Sequence, residues 1–313
     1  MNETSLSIQE RFIKFSLLLL FAIPSTICSL YFVYNVTRIP IFRKRFPNQT
    51  LIILVCIILL DILLNISITI SFYARGYIGI QTEYFCYFWQ YTDSTFTGII
   101  IWCRAIFTVE RYILVFYPNL LRSQRQKLIY HYIPLILIHT YFISFNIYTV
   151  FFYECDLKKK YTEHLCGSQC IDNFGGLSKF NWLFNILFPV FIIVFGSLLI
   201  FIRVLWIRRE MQRNLRNWSK NWKMIVQLLG MAIIYTIVWI PLSIVSLIAT
   251  FTVNNSVMET IESHLYFASY LCEMVVPMIA LLLAPEIILK LRGHMQSSVM
   301  DIASVTMGQH SKH

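Results

Sequence analysis

Charge is scarce in this chain: only 13% of its 313 residues are Asp, Glu, Lys or Arg, against 57% hydrophobic and 16% aromatic. That leaves too little polar surface to coat a soluble globule, so lipid becomes the solvent of the fold. The alternating apolar and polar pattern of a membrane barrel is lacking as well. There is no His-Glu-x-x-His spacing, no Gly-x-Ser-x-Gly elbow and no pair of membrane aspartates, which removes intramembrane enzyme chemistry of the familiar kinds. Residues 1–9 lack the basic leader, short apolar core and cleavage site of a removable signal, so the first span is expected to act as its own insertion signal. No internal repeat or low-complexity block breaks the chain, which reads as one domain over 1–313.

What the chain does have is seven apolar runs, at roughly 15–36, 50–74, 84–110, 129–152, 182–206, 224–251 and 264–289, with a mean hydropathy of +0.63. Each is long enough to cross a bilayer, and in lipid every backbone group must be bonded within its own segment, so each run is predicted to be a helix. The fold class is therefore an all-α integral membrane protein, a seven-helix bundle. Lys and Arg fix the orientation. Eighteen of the 26 fall on the connections that follow the odd-numbered spans, seven on the opposite side, and Arg104 lies within a span. The positive-inside rule then places the amino terminus outside. The net charge of +10 is accounted for by a basic rim against anionic lipid, and nucleic acid is not an expected partner. Glycosylation acceptors on the outer side are Asn2 and Asn254.

Eight cysteines divide by depth. Cys28, Cys56, Cys103 and Cys272 lie in spans, whereas Cys86, Cys155, Cys166 and Cys170 lie on the outer side, where oxidation is permitted. Four outer thiols allow three pairings, and a bond from Cys86 to Cys170 or Cys166 would tie the loop of residues 153–181 over the mouth of the bundle. A zinc site built from these thiols with His164 is the competing reading; otherwise no metal site is expected. At the far end of the same span stands Glu110-Arg111-Tyr112, about 40 Å from Cys86 at the helical rise. Asp61 is a mid-membrane carboxylate and marks a polar cavity. Arg104 has no assigned role.

Cys86 and Glu110-Arg111-Tyr112 at this spacing, together with Asp61, Pro189, Trp239-Ile240-Pro241 and Pro285 in that order, resemble the motif set of the rhodopsin-like (class A) G-protein-coupled receptors. The likeness covers nearly the whole chain. It implies a non-enzymatic plasma-membrane receptor without a cofactor, whose partners are an extracellular ligand, a heterotrimeric G protein and membrane lipid. By the same resemblance the coupling switch is Glu110, Arg111 and Tyr112, with Arg111 paired to its neighbouring acid in the resting state. The relay is Asp61, Ile101, Pro189, Tyr235, Trp239, Pro241 and Pro285.

Ligand contacts are expected from Asp93, Asn181, Trp239, Leu242, Met274 and Met278. A peptide is the favoured ligand because the outer loop carries Glu154, Asp156, Lys158 to Lys160, Glu163 and Asp172. The alternatives are a biogenic amine held by Asp93, a receptor-like protein that does not activate G proteins, and a seven-span channel or transporter. The chain departs from the family at Ala284-Pro285-Glu286-Ile287-Ile288, where an Asn-Pro-x-x-Tyr is usual, and at Tyr235, where Phe is usual. Ile287 to Arg292 read as a brief amphipathic helix opening the tail of residues 290–313.

Overall fold

A computed structural model of the chain describes residues 8–38, 49–117, 120, 123–153, 158–167, 169–173, 175–210, 230, 232–248 and 256–282. Seven long helices account for most of them: α1 (Ile8–Arg38), α2 (Gln49–Arg75), α3 (Glu83–Phe116), α4 (Gln124–Phe152), α5 (Gly176–Arg203), α6 (Ala232–Ile248) and α7 (Ser256–Leu282). Asn2, Asn254, Pro285 and the tail from residue 290 lie outside the described residues.

Local chemistry sets the ends. Thr82 caps α3, its hydroxyl accepting from the Phe85 amide, and Ser123 opens α4 in a capping box with Gln126. Gly76 closes α2 in the left-handed region at φ 81°, which suits a residue without a Cβ. Three helices widen into π-type turns, Ile62–Ile66 in α2, Leu128–Tyr132 and Tyr148–Phe152 in α4, and Asn181–Leu187 in α5. Buried polar residues ride on them: Asn65 in α2, His131 in α4 and Asn185 in α5.

A described helix overlaps each of the seven apolar runs, and the described ends differ from the expected ones. Helix α1 begins at Ile8 rather than near residue 15, because the charge of Lys14 is paired with Glu10 at 2.9 Å and needs no water. Five helices are long and apolar enough to cross a membrane: α1, α2, α4, α5 and, over Thr260–Leu281, α7. The sixth is described over a shorter apolar stretch. The third is not among the five, since Gln90, Asp93, Arg104, Glu110 and Arg111 lower its hydropathy. All five are buried, so polarity here marks a central helix and not a surface one. The apolar side chains left exposed, such as Phe191, Phe195, Leu199 and Ile202 along α5, form the face that lipid covers.

Helix α3 packs against α2, α4 and α5, while α1 closes the bundle against α2 and α7. Two apolar clusters result. The larger joins α1, α2, α3 and α7, and the smaller gathers Ile101, Val190, Tyr235, Trp239 and Leu242 from α3, α5 and α6. Gly98 lets α4 approach α3: a Cβ there would sit 2.2 Å from the Phe142 ring. Gly98→Ala is therefore expected to cost about 1–3 kcal/mol of stability through overpacking. Thermal unfolding of the detergent-solubilised protein checks this, and Gly98→Ala combined with Phe142→Leu should recover most of the loss.

Candidate functional site

Three polar zones lie along α3. At the Arg111 end, Glu110 is buried and both its oxygens are engaged. The Thr50 hydroxyl donates to Oε2, and His131 Nδ1 lies 2.5 Å from Oε1. Arg111, the expected partner, lies within electrostatic reach of Glu110, and α2 and α4 add Thr50 and His131. The Arg111 guanidinium lies 4.6 Å from the centre of the Phe107 ring, one helical turn away. Tyr112 accepts a 2.9 Å hydrogen bond from Arg203 of α5, whose guanidinium also covers Phe116. The triplet is thus tied to three neighbouring helices.

The middle zone centres on Asn65. Its side-chain amide donates to Asp61 Oδ1 and to Asp93 Oδ1, each at 3.0 Å, and its oxygen accepts from Trp89 at 3.1 Å. Asp93 also accepts from Tyr270 at 2.6 Å and from Tyr266. One asparagine thereby joins two fully buried acids on different helices, and two tyrosines of α7 complete the shell. Asp61 and Asp93, read separately from the sequence, belong to one network.

Glu273 joins them from α7 and was not anticipated. It is buried, lies within electrostatic reach of Asp61, Asp93 and Arg104, and neither of its oxygens finds a hydrogen bond among the described residues. Arg104 now has surroundings: its guanidinium carbon sits 3.6 Å from the centre of the Tyr235 ring, and its nitrogens make no hydrogen bond among the described residues. A buried cation is thus stacked on the relay tyrosine with the Glu273 carboxyl within electrostatic reach. The relay side chains Ile101, Tyr235 and Trp239 are buried together, and Pro189 is buried beside Val190 of the same cluster.

The third zone is the mouth at the Cys86 end. Cys86 is bonded to Cys166, and Cys170 is disulfide-bonded too. The sequence left Cys170 and Cys166 open as partners for Cys86; Cys166 is the one in place. These bonds consume the sulfurs that a zinc site would need. Under the loop lies a cavity of about 530 Å³. Its walls are amides and hydroxyls from Ser94, Thr97, Asn146, Gln169, Asn181 and Asn185, with Trp239 at its floor and Glu163 and Glu262 among its acids.

Of the expected ligand contacts, Asn181 and Trp239 line this cavity, whereas Asp93, Leu242, Met274 and Met278 do not. Leu242 and Met274 are buried in the apolar clusters, and Asp93 is sealed behind Tyr266 and Tyr270. The sequence read His164 only as a candidate zinc ligand; the structure turns it inward among aromatic rings. Burial and the nearby charge of Lys14 hold its imidazole neutral, its pKa pushed down to about 3. Lys14 itself lies over the rings of Tyr73 and Phe267.

The match to known families agrees with this geometry. Residues 36–280 match the 7 transmembrane receptor (rhodopsin family), and the chain belongs to that family. It is thus a multi-pass membrane receptor of a non-enzymatic class whose activity is ligand-activated G-protein signalling. Among curated proteins, no sequence matches the chain.

Two outcomes follow from the site. Asn65→Ala removes the donor shared by Asp61 and Asp93; Asp93 keeps Tyr266 and Tyr270, and the loss of the Asp61 bond is expected to cost about 1–3 kcal/mol. Thermal unfolding of the detergent-solubilised variant against wild type checks this. His164 gives a pH dependence. Its folded pKa of about 3 lies below the unfolded value near 6.5, so its stabilisation is complete above pH 6.5 and is lost as pH falls toward 3. The melting temperature should fall between pH 6.5 and 4.5, and His164→Phe should flatten that slope.

Proposed function

We propose that this receptor, its amino terminus outside, takes an extracellular peptide into the cavity beneath the disulfide-braced loop and signals through Arg111. The single observation that carries the ligand class is the make-up of the cavity wall. Neutral amides and hydroxyls suit the peptide groups of an extended ligand, and Glu262, with no Lys or Arg on the wall among the described residues, favours a basic one; Glu163 is paired with Lys160 at 2.7 Å. The volume of about 530 Å³ suits two or three residues of such a peptide, with the remainder resting on the outer loop. The amine alternative rests on Asp93, and that carboxylate is bonded to Asn65, Tyr266 and Tyr270 away from the cavity.

Signal passes, in this reading, from Trp239 at the cavity floor through Tyr235 to the Arg111 end. The seventh-helix proline is assigned to Pro277 in place of Pro285, because Pro277 interrupts α7 within the described residues and the family match ends at residue 280. A proline there removes one backbone donor and allows α7 to bend. Val276-Pro277-Met278-Ile279-Ala280 still lacks the family's Asn and Tyr. Glu273 and Arg104 supply polar groups at the same depth.

Cells expressing wild type and Arg111→Ala, matched for surface level, test the coupling by guanine nucleotide exchange against a panel of basic peptides. Wild type should respond and Arg111→Ala should lose at least tenfold of the maximal rate; equal responses overturn the coupling role. Glu262→Gln should raise the half-maximal peptide concentration about tenfold, equivalent to one charge-assisted hydrogen bond of about 1.4 kcal/mol.

A further inference from the structure

The loop that carries Cys166 is fastened at several points. Beyond the disulfide, Gln90 donates to the Leu165 carbonyl at 2.7 Å, Lys159 donates to Gln90 at 2.9 Å, and the Ile78 amide donates to the Tyr161 carbonyl at 3.0 Å. Leu165 and Cys166 hold left-handed backbone angles, φ 54° and 59°, which side chains with a Cβ adopt only when their surroundings impose them. This tight turn drives one side chain, His164, down between the helices.

There the imidazole is enclosed by five aromatic rings. Tyr73 stacks on it at 5.9 Å between centres, and Trp89 meets it edge-on at 5.2 Å. Phe72, Tyr270 and Tyr266 complete the enclosure at 5.9, 5.9 and 6.0 Å. Its Nε2 lies 3.5 Å from the Tyr270 hydroxyl, which donates onward to Asp93 at 2.6 Å. With the phenol proton committed to Asp93, the imidazole is the donor to the phenol oxygen, which fixes the Nε2–H tautomer. An aromatic enclosure of this kind suits one small flat ring, and the Lys14 charge beside it favours a neutral one. Here a neutral ring from the chain itself fills it.

We propose that His164 is a specificity-determining plug: a loop-borne imidazole that occupies an aromatic enclosure in front of Asp93 and denies it to free ligands. The proposal rests on the reading of the adjoining cavity as the ligand site, since His164, Tyr73 and Tyr266 form part of that cavity's wall and the plug closes the cavity off from Asp93. The charged groups facing the ring are Lys14 of α1 and, behind Tyr270, Asp93 of α3. Lys14 opposes a charge on the plug, so the occupant that leaves the enclosure undisturbed is a neutral one.

The test needs no G protein, so its result is separate from that of the coupling assay. Purified full-length wild type, His164→Ala and His164→Phe, each with the Cys86–Cys166 bond verified by mass spectrometry, are titrated at pH 8 with imidazole and with tetramethylammonium while the melting temperature is followed. His164→Ala should gain a saturable upward shift with imidazole, neutral at pH 8, at concentrations at least tenfold below any effect on wild type, and none with tetramethylammonium, which the Lys14 charge opposes. His164→Phe, which refills the enclosure, should gain none with either probe. A folded His164→Ala that does not respond to imidazole overturns the proposal, as does a wild type that responds as well as the variant. Should His164→Ala fail to fold, His164→Ser carries the same comparison.

Discussion

A polar side chain that leaves water for the interior of a bilayer must find its partner within the protein. Helix α3 places this constraint at the centre of the bundle. It carries Gln90, Asp93, Arg104, Glu110 and Arg111 into burial, and the neighbouring helices are arranged around what those groups require. Asn65 of α2 meets Asp93, Thr50 of α2 and His131 of α4 meet Glu110, and Tyr266 and Tyr270 of α7 close over Asp93. Lipid-facing apolar contacts do not tell one helix arrangement from another, because lipid tails are as apolar as the side chains they replace. Hydrogen bonds to α3 do.

The same requirement links the two ends of the receptor. Glu273 has Asp61, Asp93 and Arg104 within electrostatic reach, and Tyr235 meets Arg104 and Trp239. A shift of α6 that moved Tyr235 would uncover the guanidinium. The surroundings of the buried Arg104 are in this way joined to the position of α6. Where relatives use the polar residues of their seventh-helix motif, this chain has an acid on α7 and a base on α3.

Much of the fold was legible from hydropathy, because a span must be long, apolar and helical whatever its neighbours are. The helix ends were less so: charges at Arg11 and Lys14 were read as lying beyond the first span, yet Glu10 and two aromatic rings receive Lys14 inside the bundle. The triplet at Glu110 was recognised, but not the part of His131, which lies 21 residues away and is brought near only by the approach of α4. Glu273 lay within a span already counted as apolar. His164 was considered as a zinc ligand; pattern alone says nothing of which loop side chain turns inward. Its neighbours come from four separate helices and the loop, and no sequence spacing records that meeting.

Because α3 holds so many ionisable groups, it is a poor guest in hydrocarbon by itself. Placing Asp or Arg at the centre of an isolated membrane helix costs about 3 kcal/mol each, and α3 carries both. Its residence in the bilayer during biosynthesis therefore depends on company. Asn65 and Thr50 of α2 precede it on the ribosome and are ready when it emerges, whereas His131 arrives with α4 and the tyrosines of α7 come last. The order of synthesis thus sets the order in which the charges of α3 are neutralised, and the membrane accepts this helix in stages.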